Sequence, residues 1–508
     1  MRSLQLLNTL TAGSLIAPTA WSAAVAVGSS SPSCNNTPVY FEGFPHPNPT
    51  KSYWQDPPHR IANLRSTPDL PTDQVFDYVI IGSGVSGAAT AFKLLSRDPD
   101  LSVLMLEARS AASGASGRNG GHCRTGDYQL VKEWVDLYGE DEALKIGKLE
   151  QDCVDDMREF VSKYNVSSGW RNVETADLYY TKEEFEKAAE VIEFQRELAK
   201  RRPDDVPQGN PRTVYSGQDA RDYWQWPEIM GAVTYTGHTQ NPYLTVCAML
   251  ELGLEKGLNL QTNTMALQLT QVSGPSDAST QWEVKTDRGT VRGTKVVLAT
   301  NGFTPALHPG LASTHFLNPV RNQAVAVRPS ADISQNPVFK RSSTYSDQPM
   351  GGPGDYVTVR QPGDLGAGTV IYGGGQGLSP TREKNLTDDS VVNEDIAAYL
   401  RGIGRLTYGH ANWGDANAES DESTAAAAAH DWTGIVCHTP DGLPVVGGVP
   451  GEAGLWASVC MNGHGMAWAF RSAEALVEMM VEGRLRGGSR GRFGRGGLGR
   501  RSVETMGR

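Results

Sequence analysis

Apolar positions along this chain fall in short blocks separated by polar and glycine-rich stretches. Residues 76–81 (Phe-Asp-Tyr-Val-Ile-Ile) form a compact block rich in β-formers, which predicts a buried strand. Residues 88–95 have helical character, and 102–106 (Ser-Val-Leu-Met-Leu) predict a second strand. Further on, the pattern predicts a helix over 242–256, a strand over 258–262 and β-patterned runs at 266–272 and 282–286. Residues 182–201 place apolar side chains at helical spacing among many charges, the pattern of an exposed amphipathic helix. Residues 321–327 and 356–360 read as strands of an antiparallel sheet, and 391–403 as helical. The alanine run 425–429 favours helix and carries no functional message. There are no internal repeats.

Between the first strand and the first helix lies Gly82-Ser-Gly84-Val-Ser-Gly87, a full GxGxxG. The second strand ends at Glu107, twenty residues after Gly87. Each position has a physical task. Gly82 permits the tight turn, Gly84 lets the backbone approach a pyrophosphate, and Gly87 lets helix and strand pack closely. The helix N-terminus offers unpaired N–H groups to phosphates. Glu107 is placed to accept hydrogen bonds from a ribose. Strand, glycines, helix, strand and acid in this order identify a dinucleotide fold, and up to this point they suit FAD and NAD equally.

At 508 residues the chain has room for two to four domains at ~150 residues each. With 39% hydrophobic and 20% charged residues it is ordinary globular material. Beyond residue 30 no apolar run is long enough to cross a bilayer, so no membrane span is expected once a leader is removed. The net charge is −11. Residues 483–508 carry eight arginines and one glutamate; setting that +7 aside leaves −18 on the body. An acidic body is a poor nucleic-acid surface, so no nucleic-acid partner is expected. The Arg/Gly-rich tail reads as a solvated, disordered terminus, the alternative being an RGG-type phosphate-tracking segment. Residues 1–26 read as a signal peptide, with Arg2, an apolar stretch and Ala24-Val-Ala26 as a cleavage pattern; a disordered or organelle-directed leader is the alternative. Secretion is the expectation, with sequons at Asn35, Asn165 and Asn385 as weak support. Six cysteines, none as CxxC, are too few for a disulfide framework and predict no metal site; which of them pair stays open.

Residues 113–122 (Ser-Gly-Ala-Ser-Gly-Arg-Asn-Gly-Gly-His) are glycine-rich and leave no room for a core helix. Such a loop suits close backbone approach to a large flat ligand. Glu107-Ala-Arg followed by Gly114-Ala-Ser-Gly-Arg-Asn-Gly-Gly121 resembles the D-amino-acid oxidase / glycine oxidase / sarcosine oxidase superfamily of FAD-dependent oxidoreductases. The nearest branch by resemblance is the γ-glutamylputrescine oxidase-like one with fungal relatives. Ser52-Tyr-Trp54 and residues 67–71 resemble the lead-in of that branch, and Asn241-Pro-Tyr-Leu244, residues 295–302, 355–360, 369–375, Trp432-Thr-Gly434, residues 439–444 and Asn462-Gly-His-Gly465 resemble further family segments in the expected order. The resemblance spans about residues 50–480.

It implies an α/β Rossmann-type FAD-binding domain interleaved with an α+β substrate domain built on an antiparallel sheet. The lead-in would occupy 27–75. The FAD-binding domain would take 76–165, 240–315 and 430–482, and the substrate domain 166–239 and 316–429. FAD would be held by Gly82, Ser83, Gly84, Val85, Ser86, Gly87, Glu107, Ala108 and Arg109, by Gly114, Ala115, Ser116, Arg118, Asn119, Gly120 and Gly121, by Ala299, Thr300 and Asn301, and by Asp441, Gly463, His464 and Gly465.

The activity implied is oxidation of a C–N bond of an amine or amino-acid-like small molecule by hydride transfer to flavin N5, with O2 or another acceptor reoxidising the flavin. The alternative is oxidation of a C–OH or C–C bond as a natural-product tailoring step. Arg124 matches the position where relatives place an arginine for the substrate carboxylate, a task suited to a guanidinium fork; a surface or FAD-contacting arginine is the other reading. The second cation of those relatives is replaced by Ala467, and residues 369–372 lack their oxygen-activating lysine, so a dehydrogenase stays open beside an oxidase. His122 is a candidate to face the flavin ring, and Tyr372 and Tyr356 to line the pocket, against plain structural roles. His464 reads as a backbone-approach site and not a base. Cys437 sits about three residues from where a flavin-linking cysteine would stand, and Arg118 occupies the histidine-linking position, so FAD is expected to be non-covalent.

Overall fold

The computed structural model describes residues 43–206, 209–273, 280–329, 342–345, 354–413 and 429–482. The leader, Asn35, the tail and most of the alanine run lie outside the described residues.

The block at 76–81 is a strand, β1 (Val75–Ile81). The glycine turn leads into α1 (Val85–Arg97), and β2 (Val103–Leu106) returns parallel to β1. The sheet they nucleate has eight strands. Gly289–Leu298 lies parallel on the other side of β1, Leu455–Val459 beyond it and Asn259–Gln261 beside β2. Val445–Gly448 pairs antiparallel at one edge, and the hairpin Ala266–Ser273 with Thr280–Thr286 folds onto Gly289–Leu298. Burial on both faces explains the unbroken apolar ends of β1 and β2. Tyr78 and Ile80 face α1 and the helices Pro242–Glu255 and Gly465–Glu482, while Val79 and Ile81 face the other core layer with Leu104, Val284 and Val296.

The register sets the site. Ile81 pairs with both Leu106 and Leu298, so three parallel strands end flush. Gly82, Glu107 and Ala299, the next residue of each, therefore stand side by side at the carboxyl edge, where ligands of open α/β sheets bind.

A second sheet of nine strands runs His430–His438, Asn318–Val327, Val370–Gly374, Tyr356–Val359, Ser342–Tyr345, Arg171–Tyr179, Gly231–Thr239 and His122–Cys123, with Thr213–Ser216 added on Gly231–Thr239. It is antiparallel except where Ser342–Tyr345 pairs parallel with Arg171–Tyr179. The strand His430–His438 departs from the expected grouping with the cofactor domain: it pairs along its whole length with Asn318–Val327 in this sheet. Its Cys437 forms a disulfide with Cys460, just past the first-sheet strand Leu455–Val459, so one covalent link joins the two sheets. Two long helices fill the chain between glycine loop and second sheet, α2 (Asp127–Tyr138) and α3 (Glu140–Lys163), and α4 (Lys182–Arg201) matches the expected amphipathic helix to the residue.

Candidate active site

At the carboxyl edge of the first sheet the chain opens into a cavity of about 930 Å³ that runs on under the second sheet. One end is the glycine turn. A Cβ on Gly82, whose φ is +104°, would lie 2.5 Å from the Ala299 carbonyl oxygen, and one on Gly87 would lie 2.0 Å from the Gly82 carbonyl oxygen, so both glycines are sterically required. Gly84 faces the cavity. Glu107 is fixed at both oxygens: Oε2 accepts from the Ser83 amide (3.0 Å) and hydroxyl (2.6 Å), and Oε1 from the Arg109 amide (2.9 Å). Ser116 Oγ accepts from the Val85 N–H (2.8 Å) at the start of α1.

The glycine loop is held by its carbonyls. Gly117 accepts from Ser52 Oγ (2.6 Å) and Gln55 Nε2 (2.9 Å), Arg118 from Trp432 Nε1 (2.7 Å), Asn119 from Trp54 Nε1 (2.6 Å) and Gly120 from Thr358 Oγ1 (2.8 Å). Four consecutive carbonyls are thus claimed by side chains from the lead-in and the second sheet, which fixes the loop before any ligand arrives. Asn119 braces the loop internally, bonding the Ser116 carbonyl (3.0 Å) and the Gly121 amide (2.9 Å). A Cβ on Gly120 would fall 2.0 Å from the Tyr356 ring.

Of the residues expected at FAD, Gly82, Gly84, Val85, Ser86, Glu107, Ala108, Arg109, Gly114, Ala115, Ser116, Arg118, Asn119, Gly120, Ala299, Thr300, Asn301, Gly463, His464 and Gly465 line the cavity. Ser83, Gly87, Gly121 and Asp441 do not; they brace it from behind, Asp441 by accepting from the Leu443 N–H (3.1 Å). The two arginines are less available than expected. Arg109 pairs with buried Asp389 (2.9 Å), and Arg118 bonds the carbonyls of Ser113 (2.7 Å) and Thr433 (2.8 Å). Burial pushes the Arg118 guanidinium down to about 10.

The other end of the cavity holds His122, Arg124, Tyr128, Asp177, Tyr179 and Tyr356. The His122 ring stands edge-on to Tyr356 at 5.8 Å, and its buried Nε2 has no hydrogen-bond partner among the described residues. Burial first, then the nearby Arg124 charge, hold its pKa well below the usual value, so the ring is neutral. Arg124 is buried against Asp177 (2.8 Å). His464 Nδ1 bonds Oε1 of Glu150 on α3 (3.1 Å).

Tyr372 does not line the pocket. It is fully buried in Val370–Gly374 with its ring 6.3 Å from Trp413. Val370 and Tyr372 share the strand face that packs beneath the helix Glu394–Trp413, while Ile371 faces the opposite core layer; this strand reaches the cavity at its last residue, Gly374, whose φ of +121° breaks the pleat. Tyr356, on the neighbouring strand, does line it. Cys437 is paired with Cys460 and points into the core. Sequence reasoning misses Asp177, Tyr128 and Glu150. Asp177 lies 53 residues from Arg124 and carries no local signal. Glu150 does carry one: it sits in the buried stripe of α3 with Ile146, Cys153 and Met157, where a carboxylate needs a partner.

A family model described as "FAD dependent oxidoreductase" (DAO) matches residues 77–479. The chain belongs to this family of FAD-dependent oxidoreductases. It is similar to a probable oxidoreductase, OrdL, of Haemophilus influenzae, at 22% identity over 55% of this chain and 62% of that one. It is 25% identical to a glycine oxidase of Pseudomonas aeruginosa over 48% of this chain and 56% of that one. These matches span less than two thirds of either relative. Among solved structures, glycine oxidase from Geobacillus kaustophilus superposes with a TM-score of 0.58 at 19% identity, covering 81% of this chain and 95% of that one, and so shares the fold.

The residues present fit FAD. The cradle at Gly82–Gly87 meets two helix N-termini, those of α1 and of Gly465–Glu482, which suits a pyrophosphate. Glu107 is held ready for a ribose, and the cavity beyond the fixed loop ends on buried, unpartnered His122 Nε2.

Proposed function

We propose that this protein oxidises a C–N bond of an amine or amino-acid-like small molecule. The observation that carries this reading is the continuity of the cavity: it joins the dinucleotide cradle to a buried end walled by neutral His122, Tyr356 and the Arg124–Asp177 pair. Bound FAD supplies the two-electron acceptor, and O2 or another acceptor restores it. The chain's own part is to hold the substrate and keep water out of that end. His122 contributes a neutral imidazole to the wall of that end. The γ-glutamylputrescine oxidase-like branch is our finer reading, supported by the lead-in residues Ser52 and Trp54, which bond the glycine loop. One observation favours the C–OH or C–C alternative: Ala467, where relatives carry a cation, lines the cavity as a methyl group.

Anaerobic mixing of the flavin-loaded protein with amines, amino acids and hydroxy compounds tests the reading. Bleaching of the visible flavin band by amines or amino acids supports it; bleaching by hydroxy compounds alone overturns it in favour of the alternative.

We also infer non-covalent FAD, since Cys437 is tied to Cys460 and Arg118 stands at the histidine-linking position. Denaturation releasing all flavin from the protein is the expected result. Entry into the secretory pathway is our reading of the leader; the disulfide and the exposed sequon residues Asn165 and Asn385 support it. Among the described residues no helix is long and apolar enough to cross a membrane.

A further inference from the structure

Resting on the amine-oxidation reading, we propose that Asp177 sets substrate class: by occupying Arg124 it leaves the reacting end of the cavity without a cation for a carboxylate, so the preferred substrate is an amine whose reacting carbon carries no carboxylate.

Arg124 and Asp177 both line the cavity, and both are buried. Arg124 Nη2 donates to Asp177 Oδ1 at 2.8 Å, and Nη1 to Thr175 Oγ1 at 3.3 Å. The second carboxylate oxygen is also engaged: Asp177 Oδ2 accepts from the hydroxyls of Tyr128 and, at 3.2 Å, Tyr235. Tyr179 extends the network, its hydroxyl 3.0 Å from that of Tyr128. Guanidinium and carboxylate neutralise each other inside a ring of phenols. A substrate carboxylate would have to displace Asp177, leaving a buried carboxylate without its cation, and that penalty opposes binding.

Among the described residues no other cation replaces Arg124 at this end. Arg212 stacks on the Tyr235 ring at 4.4 Å, bonds Thr125 Oγ1 at 2.8 Å and does not line the cavity. Lys132 and Lys187 line only the outer mouth between α2 and α4, where Glu133, Asp136, Glu184 and Glu190 outnumber them. A substrate bearing a positive charge meets an acidic entrance and a neutral end, which suits an amine.

The test has two arms. In the first, benzoate is titrated into the flavin-loaded wild type and Asp177→Asn, following the melting temperature and the flavin spectrum. Asp177→Asn keeps a side-chain carbonyl for the tyrosines but removes the charge that occupies Arg124. Wild type should show no shift, and the variant should bind benzoate about tenfold more tightly or better, as for one gained charge-assisted hydrogen bond. Benzoate binding to wild type that disappears in Arg124→Gln would overturn the proposal, because the ion pair would then open for carboxylates. That comparison stands even where Asp177→Asn does not fold.

In the second arm, phenethylamine and phenylalanine, which differ only in the carboxylate, are compared as flavin reductants. Wild type should favour the amine about tenfold or more in kcat/KM, and Asp177→Asn should narrow the ratio. Equal use of both, or preference for phenylalanine, overturns this proposal and leaves the C–N reading intact. Bleaching by neither, with hydroxy compounds active, defeats the C–N reading, and the benzoate arm still decides what Arg124 can bind.

Discussion

His464, between the two glycines of the closing segment, is held by Glu150 on α3, 3.1 Å from Nδ1 to Oε1. The other carboxylate oxygen accepts from the Gly126 amide at 3.0 Å, and Glu150 is buried. The carboxylate fixes the His464 ring, and His464 lines the cavity. Glu150 is therefore a positioning residue for an imidazole that the sequence alone presents only as a backbone-approach site.

Glu150→Gln should reduce the rate of anaerobic flavin reduction about tenfold, since the amide holds the His464 ring less firmly than the carboxylate does. In a His464→Asn background, adding Glu150→Gln should have no further effect on the rate, and stopped-flow reduction measures both. An equal loss in the two backgrounds would reduce Glu150 to a packing role.

Asp355 is buried in the second sheet, bonded to Tyr399 Oη (2.6 Å) and the Gly375 amide (2.6 Å). Burial pushes its carboxyl up to about 6. Its folded pKa lies above the unfolded value, so the group costs stability above that window, and the cost fades as pH falls from about 6 towards 4. Asp355→Asn should gain on wild type by about 2–3 kcal/mol more at pH ~8 than at pH ~4. Calorimetry at the two pH values checks it, and an unchanged difference refutes it.

The Cys437–Cys460 link spans a sequence separation of 23 residues and carries chain from one sheet to the other. Replacing both cysteines by serine should cost about 3 kcal/mol in equilibrium unfolding, and reductant should lower the melting temperature of wild type but not of the variant. A reductant-insensitive wild type would mean the two thiols do not pair.

Gly87→Ala would set a methyl carbon 2.0 Å from the Gly82 carbonyl oxygen and force the turn open. The folded variant should retain less than about a tenth of the wild-type flavin, since a misplaced cradle forfeits several hydrogen bonds to the pyrophosphate. The ratio of flavin to protein absorbance measures it, with circular dichroism to confirm the fold.

The cofactor half is legible because its signals are local. The strand at 76–81, its glycine turn and Glu107 lie within 32 residues, and the structure brings them together at one edge. The helix Lys182–Arg201 follows from periodicity alone. Tyr372 is not legible as a core residue: a tyrosine on a strand has two faces to choose from, and the choice is made by Trp413 and the helix carrying it. The membership of His430–His438 depends on Asn318–Val327, more than 100 residues earlier. The partners of Arg124 are likewise distant, so its type and place are readable while its occupancy is not. Glu150 is readable in principle, as the one carboxylate in an apolar helical stripe.

Ser52 and Trp54 precede both the first strand and the region shared with the wider family, yet each donates to the glycine loop. A chain begun at Val75 would keep the whole GxGxxG turn and lose three of the props beneath the platform opposite it, Gln55 with Ser52 and Trp54. Anyone trimming the protein to its recognisable core would thus discard part of the mould in which the cofactor is cast.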